Sequence, residues 1–263
     1  MVEVSFRHER WLIVLVLLLA GGFRVIQITA PLVGHHSWRQ ADTAAISRNF
    51  VEEEFNLFYP RIDWRGNTEG FVEAEFPVYQ ATVACLYEIF GVREWLGRLT
   101  SVAFSLAALL FLYLFTRRIL GVKAALWAGF FFAILPMPAF YGRTFMPESM
   151  LILCCMAGVF WFYEWSKGGS LWNLALSALF ISLACLIKLP TLYIGLPLAF
   201  MSFRKFGGRA WQRIELWAYV SMVFGLVALW YYHAHWLKYQ TGLTFGIWEY
   251  GTDKWGNWNL ALS

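Results

Sequence analysis

Charge is scarce in this chain. Its 263 residues are only 14% Asp, Glu, Lys and Arg, against 59% hydrophobic and 19% aromatic residues, a balance well outside that of soluble globular domains. Cysteine is scarcer still. The four present, Cys85, Cys154, Cys155 and Cys185, all fall in apolar segments and none forms a CxxC pair, which argues against a disulfide framework or a zinc site and leaves them as small packing residues. No glycine-rich phosphate loop follows a strand pattern, so a soluble nucleotide-sugar site is excluded as well. The first apolar run also lacks a small-residue cleavage site. Arg7 and Arg10 ahead of Trp11 therefore flank an uncleaved first helix, not a signal peptide.

What is abundant is apolar sequence in long runs, and the chain reads as an all-α, polytopic membrane bundle. Crossing a hydrocarbon core takes about 20 apolar residues as a helix. Seven segments approach that length: 11–30, 96–115, 122–141, 150–165, 171–187, 191–203 and 214–236, the fourth to sixth being short. With the N-terminus in the cytoplasm, the basic groups Arg117, Arg118 and Lys123, then Lys167, then Arg204, Lys205, Arg209 and Arg213 all fall on the cytoplasmic side, as the positive-inside rule requires. That registry makes 76–90, which is apolar but carries Glu88, a juxtamembrane helix on the outer face. Residues 31–95 are then a large first external loop, 142–149 a tight second one and 237–263 an external tail.

The first external loop opens with HSWRQADTA, residues 36–44. Ser37 and Gln40 have the spacing of an S-x-x-Q capping box, which predicts a helix from Trp38 to about Val51 with Arg39 and Asp42 on one face. The acidic run Glu52, Glu53 and Glu54 is badly placed against a helix C-terminus, so the helix should end there. A polar stretch with Asp63, Arg65, Gly66, Asn67, Glu69 and Gly70 follows, then EAEFPVYQ at 73–80, in which Pro77 suits the first turn of the next helix.

Three further charged groups fall on the same face of the predicted topology. GRTFMPES at 142–149 places Arg143 and Glu148 between two spans, LIKLP at 186–190 places Lys188 at the outer end of the fifth span, and HAHWLKY at 233–239 ends the last span with His233, His235 and Lys238. Singly, each suits an ordinary surface or snorkelling role. Gathered at one membrane depth, carboxylates beside Arg and Lys suit an anionic, membrane-held substrate: an acid serves as base while the cations neutralise a phosphate leaving group. Arg24, within the first span, has two readings, snorkelling or contact with the lipid phosphate. Trp248, Trp255 and Trp258 read as an interfacial aromatic belt before a sugar-stacking surface.

WRQADTA with a following EFP, then an arginine and an acidic residue in the next short external loop, resembles the GT-C superfamily of membrane glycosyltransferases. The similarity is greatest to the branch of protein O-mannosyltransferases and aminoarabinose transferases, and it runs the length of the chain. The resemblance implies inverting transfer of a sugar from a polyprenyl-phosphate donor to a glycan, lipid or protein acceptor on the external face of a bacterial inner membrane, with membrane lipids but no nucleic acid as partners. It makes Asp42 the catalytic base and Glu148 a second catalytic candidate. Arg39, Arg143 and Lys188 become contacts of the donor phosphate, Glu75 a pocket residue that in some relatives binds metal, and His235 with Lys238 a looser match to a late basic pair. A divalent metal is one option and no other cofactor is implied. Relatives carry further spans and often an external C-terminal domain, so residues 1–263 read as the transmembrane portion of a longer protein or as a shortened relative. The alternative from another class is a catalytically silent subunit of a membrane complex, its fifteen Trp and twenty-four Phe packing against partners.

Overall fold

A computed structural model describes residues 6–32 and 34–247; Trp248, Trp255 and Trp258 lie outside the described residues. The described chain is helical. In order run α1 (Phe6–Val25), α2 (Ser37–Glu52), α3 (Val78–Phe90), α4 (Glu94–Leu120), α5 (Val122–Ile134), α6 (Pro136–Tyr141), α7 (Glu148–Gly168), α8 (Leu171–Ile187), α9 (Gly195–Phe206) and α10 (Ile214–Thr241). Short 3-10 turns at Leu189–Ile194 and Gly207–Gln212 bracket α9. Among the described residues, strand pairing is confined to the isolated bridges Arg61 with Phe71 and Glu73 with Thr244.

Helices α4, α7 and α10 are long and apolar enough to cross a membrane, at 27, 21 and 28 residues. Exposed Leu229 on α10, with Leu15 and Leu18 on α1 and Phe200 on α9, presents lipid-compatible faces, and the molecule is a membrane protein. The expected count of seven spans rests in addition on α1, α5 with α6, α8 and α9, which are shorter, charged or interrupted. The reason for one interruption is local. Pro136 and Pro138 lack backbone donors, and the residue before a proline is pushed out of the helical region; Leu135 is extended, with φ −63° and ψ 137°. The predicted span 122–141 is therefore two helices with a break between them.

Arg24 fills that break and corrects both sequence readings of it. Its side chain is fully buried, donating to the carbonyls of Ala20, Phe132, Ala133 and Pro138 at 3.1–3.3 Å and to Ser105 Oγ at 2.7 Å. Neither snorkelling nor lipid contact describes it. A guanidinium has five donors, enough to satisfy the carbonyls that the proline break leaves without helical partners.

One apolar core joins α7, α8 and α10 through residues such as Cys154, Phe162, Ile181, Cys185, Val227 and Trp230 and reaches up to Tyr79 and Val83 of α3. A second, smaller core holds the first external loop together: Ile46 and Phe50 of α2, Ile62, Val72 and Ala74 of the loop, and Ala81 and Ala84 of α3, with Leu243 and Phe245 from beyond α10. Helix α2 spans the predicted stretch and stops at Glu52 as the acidic run requires. Its expected capping box is absent. His36 caps it in a left-handed conformation with φ 57° and without a side-chain cap bond, and Gln40 is used elsewhere. Cys85 is exposed on α3 while the other three cysteines are buried, so the packing role holds for those three.

Candidate active site

The first loop and the second are joined by Gln40. Its Oε1 accepts from the backbone N–H of Phe145 at 3.1 Å, and its Nε2 donates to the His35 carbonyl at 3.0 Å. Phe145 in turn is fully buried against Gly97 of α4, where even a methyl group would lie 2.3 Å from the ring. This fixes the start of α7, so Glu148 in its first turn faces α2. Glu75 is placed by backbone bonds on either side: the Phe76 N–H donates to the Leu186 carbonyl at 3.0 Å, and the Trp230 indole to the Ala74 carbonyl at 3.2 Å. Lys188 follows the last turn of α8 in extended conformation, carried outward ahead of Pro190.

Four of the predicted residues meet as a result. Arg39 Nη2 lies 2.8 Å from Glu75 Oε1, Arg39 Nε 3.9 Å from Glu148 Oε1, and Lys188 Nζ 3.3 Å from the same Glu148 oxygen. The run Glu75, Arg39, Glu148, Lys188 thus draws one side chain from each of four chain segments. Only the first pair has the length of a strong charge-assisted bond, about 2.7–2.9 Å. The two contacts to Glu148 are longer, so the run is electrically matched but held less tightly at Glu148 than at Glu75. Glu148 Oε2 is buried with no hydrogen-bond partner among the described residues.

Asp42 stands one turn along α2 from Arg39, outside the ion-pair run. Its Oδ1 accepts from the Trp64 indole N–H at 3.0 Å, and its Oδ2 is buried without a hydrogen-bond partner among the described residues. Burial pushes the Asp42 carboxyl above its ordinary value. The indole bond opposes that shift, nearby Asp63 reinforces it, and Arg39 opposes it. Asp63 is held by Arg48 at 2.7 Å and by Asn49 at 3.2 Å. The arrangement can do base chemistry: a carboxylate with one oxygen anchored and the other without a donor among the described residues, with the Arg39 cation one turn away.

The remaining predicted residues lie elsewhere. Arg143 donates to the Ile26 carbonyl at 3.0 Å, beyond the end of α1. His235 pairs with Glu73, its Nδ1 3.5 Å from Glu73 Oε1. The Lys238 carbonyl accepts the Gly242 N–H at 2.8 Å where α10 ends. Glu73 is a residue that sequence reasoning passed over: fully buried, bonded by the Thr244 hydroxyl, and bridged through its backbone to Leu243 and Phe245. Trp64 is another, and nothing in the sequence marks it.

Among the described residues, no three His, Cys, Asp or Glu side chains gather as a metal site would require, and Glu75 is already engaged by Arg39. The described residues, so arranged, do not fit a resident metal. Helices α7 to α10 line a half-open apolar cavity of about 320 Å³, with Phe162, Ile181, Cys185, Leu198, Tyr219 and Val223 among its walls. A comparison with protein families matches residues 74–234 to the family described as dolichyl-phosphate-mannose-protein mannosyltransferase. The matched stretch contains Glu75, Arg143, Glu148 and Lys188; Arg39 and Asp42 precede it, and His235 and Lys238 follow it. A search of curated proteins finds no match.

Proposed function

The chain belongs to the dolichyl-phosphate-mannose-protein mannosyltransferase family, within the GT-C superfamily, and from that premise we propose that it transfers a sugar from a polyprenyl-phosphate donor to an acceptor at the outer membrane face. Residues 1–263 act as one transmembrane unit with a cytoplasmic N-terminus, in a bacterial inner membrane. The observation that carries the reading is the ion-pair run Glu75, Arg39, Glu148, Lys188, lying beside a carboxylate with an open oxygen.

The donor phosphate enters beside the cationic Arg39 and Lys188, displacing their longer contacts to Glu148. The polyprenyl chain runs into the apolar cavity beneath. Asp42 takes the proton of an acceptor hydroxyl or amine. The acceptor atom bonds the anomeric carbon from the face opposite the phosphate, the carbon–oxygen bond to phosphate breaks, and its electron pair leaves on polyprenyl phosphate. The configuration at carbon is inverted and no covalent enzyme intermediate forms. Arg39 and Lys188 stabilise the charge that grows on the departing phosphate, an effect that half-buried surroundings strengthen. Glu148 Oε2, lacking a donor, suits a sugar hydroxyl, while Arg143, His235 and Lys238 are kept for acceptor or headgroup contacts at the rim.

The test is sugar transfer from a radiolabelled polyprenyl-phosphate donor by the protein in lipid nanodiscs, wild type beside Asp42→Asn. Asparagine keeps the shape and the indole contact but removes the base, so transfer should fall by about 10²–10⁴-fold. Equal turnover in the two would sink the assignment and leave the chain as a silent subunit.

A further inference from the structure

Trp64 sits in the polar stretch between α2 and α3, 46% exposed, yet its indole N–H is aimed inward at Asp42 Oδ1 over 3.0 Å. Its ring edges Phe245 from beyond α10, with centroids 6.2 Å apart. A large apolar side chain left that exposed has little burial to gain, so the directed hydrogen bond is the feature that needs explaining. Its effect on the carboxylate is asymmetric. One oxygen is held; the other is tucked inside and meets no donor among the described residues. An orphaned buried acceptor destabilises a fold, and a fold bears that cost where a ligand brings the missing donor.

We infer that Trp64 is a positioning residue for Asp42, its indole N–H holding Oδ1 so that Oδ2 is the oxygen left to take the acceptor's proton. This rests on Asp42 being the base. The proton of the acceptor hydroxyl passes to Oδ2, and its electron pair becomes the bond to the anomeric carbon as polyprenyl phosphate departs. Without the indole, the carboxylate rotates about its Cβ–Cγ bond and Oδ2 no longer has a fixed direction. The charged groups facing Asp42 are Arg39 on its own helix and Asp63 on the loop, the latter held by Arg48. None of them donates to Asp42 Oδ1 in place of the indole.

Because the indole donor favours the ionised carboxylate, its removal has a signature that loss of packing alone lacks. Trp64→Phe keeps the ring against Phe245 but has no N–H; Trp64→Met is a second donorless variant; Trp64→His restores a ring N–H. The kcat for transfer should fall between about tenfold and a hundredfold in the donorless variants, as small misplacements of catalytic groups do, with KM for the lipid donor unchanged. The acid limb of kcat/KM against pH should move to higher pH in Trp64→Phe and Trp64→Met and return towards wild type in Trp64→His. An acid limb that stays put in whichever donorless variant accumulates in membranes, with or without a lower kcat, overturns the positioning role. The failure of Asp42 itself reads differently: there Asp42→Asn transfers as wild type does.

Discussion

Arg39 is the residue on which the site's electrostatics turn, because among the described residues it alone pairs with both Glu75 and Glu148. Removing it takes from Glu75 its 2.8 Å partner and leaves Glu148 the 3.3 Å contact to Lys188, whereas removing Lys188 affects one contact, on a side chain 42% exposed. Arg39→Gln should therefore cost both folding and transfer. Lys188→Gln should leave the protein folded and act on the donor, raising KM for polyprenyl-phosphate sugar about tenfold, or roughly 1.4 kcal/mol; unchanged donor KM would remove Lys188 from the phosphate site. A pH dependence follows from Asp42. Its folded-state carboxyl titrates above the ordinary value of 3.8, burial being the main cause. With Asp42 as the proposed base, which must be ionised, transfer should fail on acidification at a higher pH than an unperturbed aspartate would give. The same shift, for stability, means that ionising Asp42 costs more in the folded state than in the unfolded one. Its contribution is most favourable at acid pH and declines as pH rises from the ordinary carboxylate range through the raised folded value. At this scale the sequence placed residues well where spacing along one helix or one short loop was enough, as in setting Arg39 and Asp42 on α2 and Glu148 at the start of α7. It was misleading at Gln40, whose capping spacing is genuine but whose amide is spent on His35 and Phe145. Trp64 was invisible, because a contact across 22 positions leaves no periodic trace.

The elements show why apolar length read well and breaks read poorly. Helix α8 occupies the predicted 171–187, set off by Ser170 and by the extended Lys188 before Pro190. The segments at 122–141 and 191–203 are split instead, the first by Pro136 and Pro138, the second by a 3-10 turn after Lys188 that leaves α9 with 12 residues. Hydrophobicity counted over a window does not register where the backbone loses its donors. What repairs the first break, Arg24, comes from α1 and could not be assigned from a local reading. The same long-range logic makes Gly97 critical. A Cβ there would lie 2.3–2.5 Å from three atoms of the Phe145 ring, and that ring is fully buried and tied through its backbone to Gln40. Gly97→Ala should push the second external loop away from α2. The expected cost is about 1–3 kcal/mol, as overpacking in tight cores commonly is, seen as a lower melting midpoint in detergent together with reduced transfer. Gly168→Ala, where nothing lies within 4 Å of the added methyl, is the matched control and should leave the midpoint unchanged.

Across the whole molecule the polar and apolar halves of the proposed donor site are adjacent but separately built. The charged run is set by loop and helix ends, the cavity by the flanks of α7 to α10, and the two meet at the end of α8, where Cys185 lines the cavity three residues before Lys188. A headgroup at Lys188 would thus lead its hydrocarbon directly into the cavity, and burial of that chain supplies affinity in proportion to its apolar area, about 25 cal/mol per Å². Affinity for the donor should therefore grow with prenyl length until the cavity is filled, while chemistry at the headgroup stays the same. Ala199 tests this from outside the core. It lines the cavity but is itself exposed, so a larger side chain can occlude the mouth without disturbing the buried packing. Ala199→Phe should raise KM for a long-chain polyprenyl-phosphate donor about tenfold and leave KM for a short-chain analogue, and kcat for both, near wild type. Equal effects on long and short donors would mean that the cavity does not hold the chain, and that the hydrocarbon lies instead along the exposed faces of α9 and α10.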